Sequence, residues 1–178
     1  MTLAERFSHM PALRFLSALV PVTCGVLAVL LANLPVPLLG GLVPTPLLGL
    51  VPVYFWCLVR PDLMTPAATF AIGLLEDIVS GGPPGVWTLS FVLTYVVVQR
   101  QRDAFAGLAG AAAVLGFATA ALIACACAYF TVAIYYWHMP LLAPIVSEVA
   151  LTVAFYVPGA FVVGFIHRHL VGPLRSDF

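Results

Sequence analysis

Residues 73–85 read Gly-Leu-Leu-Glu-Asp-Ile-Val-Ser-Gly-Gly-Pro-Pro-Gly and join two apolar runs, residues 66–80 and 84–98. Glycine and proline end helices and favour turns, so this stretch predicts a tight connection between two helices. It contains no lysine or arginine. In a membrane protein such a connection lies on the side opposite the basic loops.

Apolar runs of this kind recur along the whole chain. Hydrophobic residues make up 63% of the 178 positions and charged residues 8%, against roughly 25% charged in a soluble domain. This composition is typical of an integral membrane protein and leaves no room for a soluble catalytic or binding domain. We therefore predict an all-α, polytopic membrane protein that forms a single domain, 1–178, with six spans at residues 15–34, 38–59, 66–80, 84–98, 104–136 and 140–166.

The basic residues fix the orientation of these spans. With six spans, all seven fall on one side of the membrane, whereas five or seven spans scatter them over both sides; they are Arg6, Arg14, Arg60, Arg100, Arg102, Arg168 and Arg175. Basic loops remain in the cytoplasm, so both termini are expected there. The net charge is zero, which implies no nucleic-acid partner.

Prolines indicate where two of the spans begin as helices. Thr45-Pro46 and Thr65-Pro66 each offer a hydroxyl N-cap followed by proline at the first helical position. Helices from Pro46 or Pro66 to the end of each run would be about 21 to 23 Å long, too short for a hydrocarbon core of about 30 Å. Residues 38–43 are therefore expected to complete span two as a non-helical or interfacial stretch. Proline in Pro158-Gly159 predicts a kink in span six.

Span five carries small residues every four positions. Small side chains at this spacing let another helix approach closely in lipid, which predicts a buried, central helix. Packing within the chain and a surface for a separate subunit are both compatible with the pattern. The helix-packing residues are Ala112, Gly116, Ala120, Ala124 and Ala128.

Three acidic residues, Glu76, Asp77 and Glu148, fall in the outer half of the predicted spans. An ionised carboxylate at the bilayer centre is unfavourable by about 2.5 to 3.5 kcal/mol on insertion scales, so each of the three needs a partner, a proton or water. No arginine is available on that side. His138 and Ser147 are the nearby polar residues, and we take Glu76, Glu148 and His138 as candidate polar contacts.

Helical spacing gives the two adjacent acids different surroundings. Residues 76 and 77 point about 100° apart, and Asp77 shares its stripe with Gly73, Ser80 and Gly81. With Ser80, Asp77 is expected to cap the N–H groups at the start of span four, around Gly85 and Val86, where the helix dipole favours an anion. A partner contact, a transported ion and catalysis are the alternatives for Asp77.

The segment from Gly73 to Gly85 resembles the signature region of MreD, the bacterial rod-shape-determining membrane protein. That family has a glycine, an aspartate four residues on, a small-residue turn and a further glycine. The matching positions are Gly73, Asp77, Gly81 and Gly85. Chain length, arginine-flanked short loops and a proline-marked second span are also similar, and beyond about thirty residues the resemblance is mainly one of hydropathy. Two departures from the family pattern are the extra acid Glu76 and the double proline after Gly82.

The resemblance implies a non-enzymatic scaffold of the elongation machinery in the bacterial inner membrane. MreD-like proteins bind the bitopic protein MreC and work with the cytoskeletal MreB, with RodA and with a class B penicillin-binding protein in peptidoglycan synthesis and cell-shape control. The family also resembles in fold the six-helix substrate-binding components of energy-coupling vitamin transporters. No cofactor is implied, and membrane lipids are the remaining partners.

A substrate-binding component of such a transporter is the alternative function. Ala28-x-x-x-Ala32 resembles a helix-packing element of those components, and Trp87, Tyr135 and Trp137 with the acids could line an outer pocket. An intramembrane enzyme is disfavoured, because no nucleophile or metal-binding motif accompanies the serines and histidines. We therefore predict no catalytic, cofactor or metal site.

Overall fold

The computed structural model of the chain describes residues 11–34, 44–108 and 110–171, and these ranges form helices and no strands. Helix α1 is Pro11–Ala32, and the short helices that follow are α2, Leu50–Val59, α3, Pro66–Ser80, and α4, Val86–Arg100. The remaining helices are α5, Arg102–Ala106, α6, Ala111–Tyr136, and α7, Leu142–Ile166, which continues into one π-helical turn, His167–Val171.

Within the described ranges, two helical segments are long and apolar enough to cross a membrane, Ala111–Tyr136 and Leu142–Val171. Helices α2 and α4 and the Leu19–Ala32 part of α1 are apolar but shorter. Both long helices present large apolar side chains to the outside, including Leu122, Phe130, Phe155, Phe161 and Phe165. An apolar exterior of this kind suits a lipid environment.

Helix α2 lies at the centre of the bundle. It packs against α1, α4, α5 and α7, and seven of its ten residues are buried, among them Tyr54, Trp56 and Cys57. The prediction that span five forms the central helix was wrong. The reason is that α6 buries only one face. Helix α2 is apolar on every side, as is typical of a buried helix, and it is too short to span the lipid layer.

The small residues of α6 form that buried face. Gly116, Ala120, Ala124 and Ala128 are buried, whereas Ala112 is exposed in the first turn. Helix α6 packs mainly against α4 and α7. At Gly116 an added Cβ would lie 2.8 Å from the Tyr54 hydroxyl, so this glycine lets α2 approach α6.

Two predicted spans have different boundaries in the structure. The predicted run 104–136 is divided into α5 and α6 by the non-helical residues around Gly107 and Gly110. Helix α2 begins at Leu50 and not after Thr45, and Gly49 precedes it without a side-chain cap. Instead, the non-helical backbone ahead of α2 is held by α7, where the Thr152 hydroxyl accepts a hydrogen bond from the Leu47 N–H at 3.0 Å. The predicted interfacial stretch 38–43 lies outside the described residues.

The predicted start of the third helix is confirmed. Thr65 has an extended backbone, its hydroxyl accepts a hydrogen bond from the Ala68 N–H at 3.1 Å, and Pro66 is the first helical residue. Helices α3 and α4 then pack closely along each other as a hairpin. Its turn, at residues 81–85, is the stretch that joins the two elements of the candidate site.

Basic residues collect at the opposite end of the bundle. Arg60 follows α2 and pairs with Asp62 at 2.8 Å, and this ion pair lowers the pKa of the Asp62 carboxyl. The Arg102 guanidinium donates to the Leu58 carbonyl at 3.1 Å, which ties α5 to the end of α2. Arg168 lies in the π-helical turn that follows α7.

Candidate functional site

The Asp77 carboxylate binds the beginning of α4. Its Oδ1 accepts a hydrogen bond from the Trp87 N–H at 2.8 Å, and its Oδ2 accepts from the Gly85 and Thr88 N–H groups, both at 3.0 Å. The Thr88 hydroxyl donates to the same Oδ2. Asp77 is 5% exposed. One side chain from α3 therefore supplies the N-terminal cap that α4 lacks in its own sequence.

The physical basis of this contact is the unfilled first turn of α4. The first N–H groups of a helix have no acceptor inside the helix, and the helix dipole makes their end partly positive. Gly85 at the N-cap has φ of 91° and no side chain to accept a hydrogen bond. An anion from a neighbouring helix fills both requirements. The cap is thus supplied by another helix, and its acceptor lies eight to eleven positions before the donors in the sequence.

Two glycines give the carboxylate its position. Gly81 ends α3 with φ of 68°, in the left-handed region that glycine adopts without strain. One turn before Asp77, Gly73 lies against the backbone of α4, and an added Cβ would be 2.7 Å from the Thr88 Cα. Helices α3 and α4 can therefore approach closely enough for Asp77 to reach all of its donors.

Ser80 does not share the capping role expected for it. Its hydroxyl donates to the Asp77 carbonyl at 3.5 Å, inside α3, and the residue is exposed. The N–H groups that Asp77 binds belong to Gly85, Trp87 and Thr88, and Val86 is not among them. Thr88 was missing from the sequence analysis. A hydroxyl residue in the first turn of a helix without its own cap is the signal that could have indicated it.

Glu76 faces a different neighbour, helix α1. Its Oε1 accepts a hydrogen bond from the Asn33 Nδ2 at 2.9 Å, and the same Nδ2 donates to the Val29 carbonyl at 3.0 Å. Glu76 is 2% exposed, and its Oε2 has no hydrogen-bond partner among the described residues. Asn33 was also missing from the sequence analysis. A single amide in an otherwise apolar run was the available signal, since buried polar groups seek partners.

Glu148 is half-buried on α7, close enough to Glu76 for their charges to interact. The structure thus brings these two predicted polar contacts within range of each other's charge. His138 is exposed and lies 3.3 Å from the carbonyl of Tyr136, in the connection between α6 and α7. The Ser147 hydroxyl donates to carbonyls of its own helix. The side chain that binds Glu76 is therefore Asn33, and neither His138 nor Ser147.

An apolar cleft of about 790 Å³ lies between α1 and α7, with α2 as its floor. Asn33 and Thr45 are its polar lining residues and lie at the same end of it. The wall on α1 consists of Cys24, Leu27, Ala28, Leu31, Ala32, Asn33 and Leu34, the floor of Thr45, Pro46, Leu48, Val51 and Pro52, and the wall on α7 of Phe155, Pro158, Gly159, Val162, Val163 and Ile166. The cleft could hold an elongated apolar group.

Within the described ranges, no three His, Cys, Asp or Glu side chains come together in a way that could hold a metal ion. No family model, curated protein or solved structure matches this chain.

Proposed function

We propose that the chain is a non-enzymatic scaffold of the MreD type in a bacterial inner membrane, with six spans and both termini in the cytoplasm. In this role it binds an MreC-like bitopic protein and connects MreB filaments with peptidoglycan synthesis by RodA and a class B penicillin-binding protein. Its contribution is a fixed arrangement of helices in the bilayer, onto which single-span partners dock.

The distribution of charge supports the membrane orientation. Arg60, Arg102 and Arg168 lie at the end of the bundle where α2 and α7 finish, and the turn between α3 and α4 at the other end has no basic residue. Under the positive-inside rule the arginine end is cytoplasmic. The exposed apolar side chains of α6 and α7 lie between these two ends, as expected for spans in contact with lipid.

The observation that carries the proposal is the Asp77 contact with the start of α4. The four positions that resemble the MreD signature each have a local role in it: Gly73 allows the close approach, Gly81 ends α3, Gly85 begins α4 and Asp77 accepts the hydrogen bonds. An aspartate held by four hydrogen bonds to α4 is an architectural group, and Asp77 does not line the cleft between α1 and α7. This favours a scaffold over a transport or catalytic role for Asp77.

The alternative, a substrate-binding component of an energy-coupling transporter, has less support. The aromatic residues expected to line an outer pocket, Trp87, Tyr135 and Trp137, do not line the cleft. Trp137 is 92% exposed and Tyr135 is exposed as well. A vitamin pocket needs several converging polar groups, and the cleft has two.

Purification of the tagged chain from its native membrane in mild detergent, followed by mass spectrometry of what accompanies it, tests the proposal. We expect an MreC-like bitopic protein, with or without wall synthases, enriched over a tagged polytopic protein of similar size. A transmembrane coupling subunit with paired ATPases would instead establish the transporter alternative.

Two neighbouring variants then test the contribution of an outer polar contact. We expect Glu148→Gln to reduce recovery of the partner, because Glu148 is a carboxylate that is only partly buried near the proposed outer end of α7. Ser147→Ala is the matched control, since the Ser147 hydroxyl bonds only within α7. Equal recovery with both variants would remove Glu148 from the interface.

A further inference from the structure

Exposed side chains border the cleft between α1 and α7. Small residues line its α1 wall at one-turn intervals, Cys24, Ala28 and Ala32, and bulkier Leu27 and Leu31 form the edge on that side. Leu27 is 65% exposed and Leu31 is 61% exposed, so this edge faces outward. The cleft is therefore open sideways, toward the surroundings of the bundle.

The length of the cleft matches one leaflet of a bilayer. Its lining residues on α1 extend from Cys24 to Leu34, about 15 Å at about 1.5 Å per residue, and those on α7 from Phe155 to Ile166, about 17 Å. A hydrocarbon core is about 30 Å thick, so each leaflet contributes about half of that. A transmembrane helix of a partner would need a groove along the full thickness. An acyl chain needs a groove about as long as one leaflet, which is the length of this cleft.

The polar end of the cleft offers hydrogen-bond acceptors. The Asn33 Nδ2 already donates to Val29 and Glu76, which leaves the Asn33 Oδ1 as the group available to a ligand. Behind Asn33 lies the Glu76 Oε2, buried and without a partner among the described residues. A ligand headgroup that donates hydrogen bonds would complement this end.

Charge at the same end has one sign. Glu76 binds Asn33 at the polar end, Asp77 follows Glu76 in α3, and Glu148 is close enough to Glu76 for their charges to interact, although none of the three lines the cleft. Arg60, Arg102 and Arg168 lie at the other end of the bundle. An anionic headgroup would meet repulsion from these carboxylates and find no guanidinium to pair with. A headgroup that carries an ammonium would be attracted.

We propose that this cleft is a binding site for a phospholipid with an amine headgroup, of the phosphatidylethanolamine class. One acyl chain lies between α1 and α7 over the floor formed by α2, and the ammonium donates hydrogen bonds to Asn33 at the polar end, beside the acidic residues. The lipid fills the space that separates α1 from α7 and thereby fixes α1 against the bundle. This site requires no protein partner.

Native mass spectrometry of the purified chain, reconstituted with equal amounts of phosphatidylethanolamine and phosphatidylglycerol, tests the proposal. We expect retained phosphatidylethanolamine in excess over phosphatidylglycerol. Ala28→Phe fills the cleft and should reduce the retained lipid about tenfold, which corresponds to losing the contacts of about two methylene groups. Ala126→Phe places the same ring on the exposed side of α6 and should leave retention unchanged.

The headgroup preference is tested separately. Asn33→Leu removes the free acceptor while keeping the same number of side-chain heavy atoms, and it should abolish the excess of phosphatidylethanolamine. Gln99→Leu removes an exposed amide at the arginine end and serves as the matched control. Equal retention in the Ala28 and Ala126 variants, or a wild-type chain that retains no lipid or prefers phosphatidylglycerol, would overturn the proposal.

A second experiment tests the site even if Ala28→Phe does not fold. It places a photoreactive residue at position 31, on the edge of the cleft. Irradiation in native membranes should give a lipid adduct on the wild-type background. A cross-link to a peptide of this chain or to another protein, in place of lipid, would show a different occupant and refute the lipid site.

Discussion

Asp77 uses both carboxylate oxygens as acceptors, so its nearest neutral relative is a poor substitute. Asparagine would keep one oxygen but turn an NH₂ group toward either the Trp87 N–H or the donors of Gly85 and Thr88. A cap with a single acceptor would tolerate Asp77→Asn, but this carboxylate uses both of its oxygens. We therefore expect Asp77→Asn to lower the free energy of unfolding by about 1 to 3 kcal/mol, because a buried donor is left unpaired, and Asp77→Leu to lower it further.

Thermal unfolding in detergent micelles measures this effect, with Glu76→Gln as the comparison. Glutamine can keep its oxygen toward Asn33 and place its NH₂ where the Glu76 Oε2 has no partner among the described residues. Its melting temperature should therefore stay nearer to the wild type than that of Asp77→Asn. The reverse order would mean that Asp77 acts through its charge in some other process and not as a cap.

The hydrogen-bond partners of Asp77 and Glu76 differ in whether they could be predicted from the sequence. The approximate location of the group bound by Asp77 could be predicted, because glycines, a turn and an uncapped helix start lie within twelve positions of each other. The partner of Glu76 could not, since Asn33 is 43 positions away and only the packing of α1 on α3 brings them together. Local hydrogen bonds follow from spacing, and distant ones need the fold.

At the level of elements, the hairpin of α3 and α4 depends on the absence of a side chain at Gly73. Gly73→Ala would place a Cβ 2.7 Å from the Thr88 Cα, so the two helices must separate. We expect a loss of about 1 to 3 kcal/mol in the free energy of unfolding, as for other overpacked sites. Gly82→Ala is the control in the same turn, where the added Cβ would be 3.9 Å from the Ser80 hydroxyl oxygen. Comparable losses for both variants would show that the turn, and not the helix contact, is limiting.

The start of α3 gives a second prediction at this level. Thr65→Ala removes the acceptor for the Ala68 N–H and should destabilise the protein by about 1 kcal/mol, whereas Thr65→Ser retains the hydroxyl and should be close to the wild type. Melting temperatures of the two variants in the same detergent provide the measurement. An alanine variant as stable as the serine variant would contradict the cap.

Thr45 and Thr65 precede proline in the same way, yet only the second begins a helix. At Thr65 the local signal is sufficient because α3 follows without competition. After Thr45 the Leu47 N–H is bound by Thr152 of α7, so a tertiary contact replaces the first helical turn. The sequence predicted the all-helical class and most helix ends. Neither the later start of α2, at Leu50, nor the division of residues 104–136 into two helices has a local signature.

For the molecule as a whole, the positions of the arginines predict which surface faces the cytoplasm. In a variant without its four cysteines, a cysteine at position 138 should react with a membrane-impermeant maleimide added outside intact inner-membrane spheroplasts. A cysteine at position 101 should react only after permeabilisation, since Gln101 lies exposed at the arginine end. Labelling of both positions, or of position 101 alone, in intact spheroplasts would exclude the six-span orientation.

The lengths of the helices also differ by more than a bilayer of uniform thickness accommodates. Helix α3 is about 22 Å long and α6 about 39 Å, at about 1.5 Å per residue. If both helices cross the bilayer as proposed, either α6 tilts or the membrane is thinner beside α3, and each ångström of mismatch costs a fraction of a kcal/mol. Two such molecules share this cost when their thin sides adjoin. The protein is thus expected to gather laterally with others that thin the bilayer, before any direct contact forms between them.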